Sequence, residues 1–233
     1  MTDSIGLNGN VGSSKAARST EQNVHAEPMH VKQFSNSWVY SYRVKLVPGR
    51  PCEMHKHTED TFYRALTDGP CKAKTAEGKE FDQDIKKGSQ WWNLNKTEGP
   101  MVHQVTLAES FPHRSDFFAL EFLKSPPIDG GEPLKHPAYT LDTKYSREGT
   151  ARVYHLEIGP GESTGIHRWQ FFAVVLSVSD GKLTTEGENS PFLDKALQRY
   201  GGDMWVEGPV EFSVTNIGDQ PYQALVIELL KHD

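Results

Sequence analysis

The sequence predicts an all-β protein built as two β-barrels in tandem, and three observations carry that prediction. Apolar and polar residues alternate with a period of two over short stretches, as half-buried strands require. Turn formers are frequent, with Gly 20 and Pro 14 in 233 residues, as in a barrel or sandwich of many short strands. The chain also repeats itself: shifting the numbering by about 112 pairs Tyr42 with Tyr154, Pro48-Gly49 with Pro160-Gly161, His55 with His167 and Gly69 with Gly181. A period this long means two similar domains and not a solenoid, whose units run to roughly 20–50 residues.

Taken in order, residues 1–30 are rich in Ser, Asn, Gly and Thr and lack a sustained apolar run. They read as a disordered tail and not as a secretory signal, which needs an apolar core. From Trp38 alternation sets in: Val39, Ser41, Arg43, Lys45 and Val47 interleave with Tyr40, Tyr42, Val44 and Leu46 up to the turn at Pro48-Gly49. Further strands are expected at residues 54–57, 61–66, 102–107 and 117–122, completing a first domain over residues 31–123. Residues 124–149, dense in Pro, Gly and charge, read as a linker. A second domain over residues 150–233 opens on a stretch that echoes Arg43 to Gly49. Within it Ser190 suits an N-cap, Pro191 the first helical position and Gly201 the residue past the end. With Phe192, Leu193, Ala196, Leu197 and Tyr200 on one face, these predict one short helix that covers a barrel end.

Composition excludes some partners. With 36% hydrophobic and 24% charged residues and a net charge of -6, the chain has an ordinary globular profile. It holds no dense Lys/Arg block with which to bind nucleic acid or an anionic membrane. No stretch reaches the roughly twenty apolar residues of a membrane span, so a soluble, cytoplasmic protein is expected. Cys52 and Cys71 lack CxxC spacing and, without a secretory signal, are expected as reduced core thiols.

Candidate chemistry concentrates in residues 49–69. Side chains alternate across a strand, so His55 and His57 project from one face and can offer two nitrogens to one metal ion. Imidazoles turned into a barrel otherwise filled with aromatics would carry a desolvation cost unless something satisfied them. The spacing of Gly49, His55, His57 and Gly69 resembles the first signature of the cupin superfamily, G-x5-H-x-H-x4-E-x6-G, with Phe62 at the glutamate position. The second signature, G-x5-P-x-G-x2-H-x3-N, runs from Gly88 to His103 if about four residues are inserted within residues 95–99. His113 is the fallback for that histidine. From Gly202 the same frame places Glu207, Phe212 and Asn216.

The resemblance, over residues 38–231, is to the two-domain bicupins. It implies two jelly-roll barrels and a single Fe, Mn, Ni or Zn ion held in the N-terminal one by His55, His57 and His103. The C-terminal equivalents are His167, Trp169, Val174 and Phe212, a degenerate site with one nitrogen donor. Glu59, two residues past His57, is a candidate off-register carboxylate ligand, with solvation in its turn as the alternative. Because the family's glutamate points inward, Arg64, sharing a face with Phe62, is a candidate to enter the cavity and hold an anion with its planar fork, with snorkelling to solvent at the strand edge as the alternative. Tyr63, Trp91 and Trp92 are candidates to wall the pocket, with aromatic core packing as the compatible alternative.

Three classes of function follow. The first is an Fe(II) dioxygenase with a three-histidine centre, acting on a small anionic organic substrate. The second is a redox-neutral isomerase, lyase or epimerase in which the ion, with Mn, Ni or Zn as alternatives, polarises a carbonyl. The third is a binding protein without turnover. The expected partner is a small-molecule substrate, and a homodimer is compatible with the sequence.

Overall fold

In the computed structural model, which describes residues 22–231, the repeat folds into two β-barrels. The first contains β1 (Gln22–Asn23), β2 (His30–Ser35), β3 (Val39–Val44), β4 (His55–His57), β5 (Thr61–Ala65), β6 (Gly69–Thr75), β7 (Glu80–Ile85), β8 (Gln90–Asn93), β9 (Met101–Leu107) and β10 (Phe117–Phe122). The second contains β11 (Tyr139–Arg147), β12 (Ala151–Ile158), β13 (His167–Trp169), β14 (Ala173–Ser177), β15 (Leu183–Glu186), β16 (Asp203–Val206), β17 (Val210–Asn216) and β18 (Tyr222–Leu229). The first barrel closes two five-stranded sheets on each other, β1-β4-β9-β6-β7 and β2-β3-β10-β5-β8. The second closes β11-β12-β18-β14-β16 on the three-stranded β13-β17-β15.

Alternation along β5 and β10 sorts their side chains into two layers. Tyr63 and Ala65, with Tyr42, Val44, Phe117 and Ala119, face the interior of the first barrel. Phe62, with Val39, Phe118, Leu120 and Phe122, faces outward and packs against Ala151, Val153, Val174, Leu176, Leu225 and Ile227 of the second barrel. This explains why β10 is buried at every position and reads as a nearly continuous apolar run: both its faces are covered. At about 1.5–3 kcal/mol for each large apolar side chain removed from water, this shared layer fixes the barrels to one another.

The repeat holds residue for residue where it matters. His55 stands opposite His103 across β4 and β9, and His167 stands opposite Phe212 across β13 and β17. Phe62 and Val174 both lie in the layer between the barrels, and Tyr63 and Val175 both face their own interiors.

Three boundaries differ from the sequence expectation. Part of the expected tail, residues 1–21, lies outside the described residues. Residues 22–30 are folded, since β1 pairs in parallel with β4 and a 3-10 turn, Val24–Ala26, buries Val24. The expected linker ends early, because β11 pairs antiparallel with β12. As an edge strand with a polar outer face, β11 carries too much charge to stand out by composition. The expected short helix is two 3-10 turns, Pro191–Leu193 and Lys195–Gln198. Asp194 between them is extended, and its carboxylate accepts from Ala196 N, which caps a new turn instead of continuing the old one. Cys52 and Cys71 are both free and buried. Among the described residues no helix is long and apolar enough to cross a membrane.

Candidate metal centre

β4 is only three residues long and puts His55 and His57 into the first barrel, each 1% exposed. His103 reaches the same point from β9. One ligand atom from each of the three lies within 4.8 Å of the other two. Among the described residues this is the one group of three or more His, Cys, Asp or Glu side chains arranged in this way. Ring centroids are 4.8 Å apart for His55–His57, 4.8 Å for His55–His103 and 5.0 Å for His57–His103.

The hydrogen bonds fit a metal. His55 Nδ1–H donates to the carbonyl of Glu53 at 2.7 Å, which fixes the tautomer and leaves Nε2 bare. That Nε2 is buried and has no hydrogen-bond partner. His57 Nε2 lies 3.2 Å from His103 Nε2, a spacing suited to two neighbouring ligands on one ion at about 2.0–2.1 Å each. Burial lowers the pKa of all three, that of His103 to about 3, so they stay neutral, the form in which imidazole binds a metal. An orphaned buried Nε2 beside two further neutral imidazoles therefore fits a divalent ion.

The cavity beside this group measures about 120 Å³. His57 and His103 line it with Val44, Leu46, Tyr63, Trp91, Asn93 and Phe117. The Tyr63 and Trp91 rings stack at 5.0 Å and 4°. Phe81, Gln83 and Ile85 of the edge strand β7 form the outer wall, and Phe81 is exposed to solvent. Among the described lining residues none is Asp, Glu, Lys or Arg.

Not every predicted site residue reaches the cavity. Tyr63 and Trp91 do, but Trp92 lies on the opposite face, where its Nε1–H donates to the carbonyl of Tyr145 at 2.9 Å. Arg64 shares the face of Phe62, as expected, but that face meets the second barrel, where its guanidinium lies within the electrostatic reach of Tyr200, Tyr145 and Asp142. The physical reason is register. Counting x4 from His57 lands on Phe62, whereas the strand starts at Thr61 and its inward positions are Thr61, Tyr63 and Ala65. A one-residue slip exchanges the two faces of a strand. Glu59 is also outside the group: its carboxylate pairs with Lys96 Nζ at 2.6 Å in the turn, and its carbonyl accepts from Asn95 Nδ2.

Two functional candidates escaped the sequence. His30, at the start of β2, lines the cavity with its ring 4.6 Å from that of His55. It falls within the segment whose composition reads as tail. Glu121, fully buried on the inward face of β10, meets His25 Nε2 at 2.6 Å, and its Oε1 has no partner. Its counterpart in the second barrel is Glu228, held by Arg152 at 3.0 Å and by the Tyr154 hydroxyl at 2.6 Å. A lone acidic residue in an apolar run was the signal for both.

The second barrel is built differently at the equivalent point. Both nitrogens of His167 are satisfied within the protein, Nδ1–H by the carbonyl of Gly165 at 3.0 Å and Nε2 by the Tyr139 hydroxyl at 2.8 Å. Trp169 and Phe212, which stand where the first barrel has His57 and His103, are buried aromatics.

Two jelly-roll barrels packed face to face, the first with a three-histidine group able to hold a metal, define a bicupin-type architecture. Comparisons with solved structures agree on the fold. The chain is similar to Bacillus subtilis oxalate decarboxylase at 14% identity and a TM-score of 0.54, over 87% of this chain and 76% of that one. It is similar to the formate complex of Lactobacillus farciminis oxalate decarboxylase at 13% identity and a TM-score of 0.52, over 84% and 78%. A further Bacillus subtilis oxalate decarboxylase structure, from work on its Mn(II) centres, matches at 13% identity and a TM-score of 0.52, over 88% and 76%. No protein-family model matches the chain, and no curated protein matches it.

Proposed function

We propose that the first barrel is a metal-dependent catalytic centre that acts on a small organic anion, and that the second barrel carries no metal. The observation that carries this reading is His55 Nε2, buried without a partner within 4.8 Å of ligand atoms on His57 and His103. The ion, when bound, supplies Lewis acidity and, as Fe(II), the capacity to react with O2. The protein's own groups do the rest. The Glu53 carbonyl orients His55, and the Tyr63–Trp91 stack and Phe117 keep bulk water from the reacting face. The Asn93 and Gln83 amides offer hydrogen bonds to substrate oxygens.

Three neutral imidazoles leave the ion's charge uncompensated, which favours a substrate that brings negative charge as a chelating carboxylate or enolate. An apolar cavity of about 120 Å³ limits the rest of that substrate to a small skeleton. With no Asp, Glu, Lys or Arg among the described lining residues, proton transfer would fall to His30, Tyr63 and Cys52, and burial makes His30 a weak base and holds the other two protonated. This favours an Fe(II) dioxygenase over proton-transfer chemistry.

One observation favours a second reading, a redox-neutral lyase: the fold neighbours are oxalate decarboxylases, one of them described for its Mn(II) centres. Anaerobic loading with Fe(II), Mn(II), Ni(II) or Zn(II), followed by keto acids, catechols, 1,3-dicarbonyls and oxalate with O2 monitored, separates the two. Turnover with Fe(II) that consumes O2 is expected. Turnover with O2 excluded would replace the dioxygenase with the lyase.

A further inference from the structure

We infer that His30 is a fourth protein ligand of the metal centre, delivered by the N-terminal segment in place of a carboxylate. The inference rests on the metal-centre reading and deepens it. The His30 ring stands beside the three-histidine group, although its nitrogens fall outside the 4.8 Å spacing that the ligand atoms of the other three share. The His30 ring lies 4.6 Å from that of His55, at 84°, and 6.0 Å from that of His57. The His55 spacing is as short as those within the three-histidine group itself, 4.8–5.0 Å. His30 Nδ1 lies 3.3 Å from the carbonyl of Val24, so that nitrogen carries the proton and Nε2 is left with its lone pair, the same tautomer that the Glu53 carbonyl imposes on His55.

The segment that carries His30 is fastened to the strand that carries His55. Gln22 and Asn23 pair with His55 and Lys56, so β1 lies directly on β4. The buried carboxylate of Glu27 bridges the two pieces, accepting from Glu53 N at 3.2 Å and from Met29 N at 2.6 Å. Two anchors of residues 22–30 thus lie within a few residues of His55, while His25 reaches across to Glu121 on β10. Of the carboxylates weighed for the place, Glu59 is paired with Lys96 and Glu121 with His25, and the inward position on β5 is held by Tyr63. A fourth neutral nitrogen completes a donor set of borderline softness, suited to Fe, Ni, Cu or Zn.

The experiment loads the full-length protein with Co(II) and measures affinity by competition with a chelator, and counts imidazoles by X-ray absorption. The same titration is run on His30→Ala, His30→Gln and Lys56→Ala, with circular dichroism to check folding. Four imidazoles in the wild type, with affinity lower by about 100-fold or more in both His30 variants, is the expected result. That loss exceeds the roughly 10–100-fold that follows when an outer partner of a ligand is removed. Three imidazoles, or affinity in a folded His30 variant within tenfold of wild type, would overturn the inference and leave the three-histidine centre standing. If the wild type bound no Co(II), the metal-centre reading itself would fall, and this inference with it. If neither His30 variant folds, the imidazole count on the wild type decides alone.

Discussion

Phe62 lies against Trp92, ring centroids 5.4 Å apart, on the face of β5 that meets the second barrel. The residue at the signature's glutamate position is therefore part of the seam between barrels, and the neighbouring Tyr63 faces the cavity. Phe62→Ala is expected to destabilise the fold by about 3–5 kcal/mol while the folded fraction keeps its metal affinity. Tyr63→Glu is expected to strengthen metal binding, because it puts a carboxylate on the inward face. Urea titration and metal titration of both variants check this. Tighter metal binding by Phe62→Glu than by Tyr63→Glu would contradict it.

Arg64 follows from the same register. With its guanidinium at the seam beside Tyr145 and Tyr200, Arg64→Leu is expected to leave metal affinity and the affinity for anionic substrates unchanged. Its effect on stability is expected to stay below about 1 kcal/mol, as for charges without a tight partner. Weakening of substrate anions by tenfold in this variant would place the arginine in the cavity after all.

Glu228 makes stability depend on pH. Burial raises its pKa, opposed by the Tyr154 hydroxyl and by Arg152. A raised pKa in the folded state means that the folded chain holds its proton more tightly. The associated stability is full below the ordinary carboxylate pKa and is lost as pH rises through the folded value. Arg152→Ala removes the cation that opposes this and is expected to deepen the loss on the alkaline side. Glu228→Gln is expected to flatten the profile. Chemical denaturation across the acidic-to-neutral range checks both, and an Arg152→Ala protein that gained stability with rising pH would refute the assignment.

Much of this is legible in the sequence, and each failure has its own physical cause. β10 was readable at its correct bounds because a strand covered on both faces is apolar throughout. His55 and His57 are readable because period-two alternation and the signature spacing agree, whereas His103 is reached only by allowing an insertion within residues 95–99. The expectation for Arg64 fails because the signature is counted through the turn of residues 58–60, where one residue of slip exchanges the faces of β5, and that for Trp92 fails because Trp91 and Trp92, adjacent on β8, cannot both face the cavity. β11 was hidden by its edge position, where half the side chains are solvated and charged. His30 was hidden because its segment folds by pairing with β4 and through the buried Glu27, and not by burying an apolar run that composition could reveal.

The central claim is that one metal ion binds, in the first barrel only. His167 already has both nitrogens hydrogen-bonded, whereas His55 leaves a buried Nε2 unpartnered. Elemental analysis of the purified, reconstituted protein is the most direct test, run on wild type, His57→Ala, His103→Ala and His167→Ala. About one ion per chain is expected in the wild type and in His167→Ala, with loss of the ion in the other two. An ion retained in both His57→Ala and His103→Ala, or lost in a folded His167→Ala, would contradict the account.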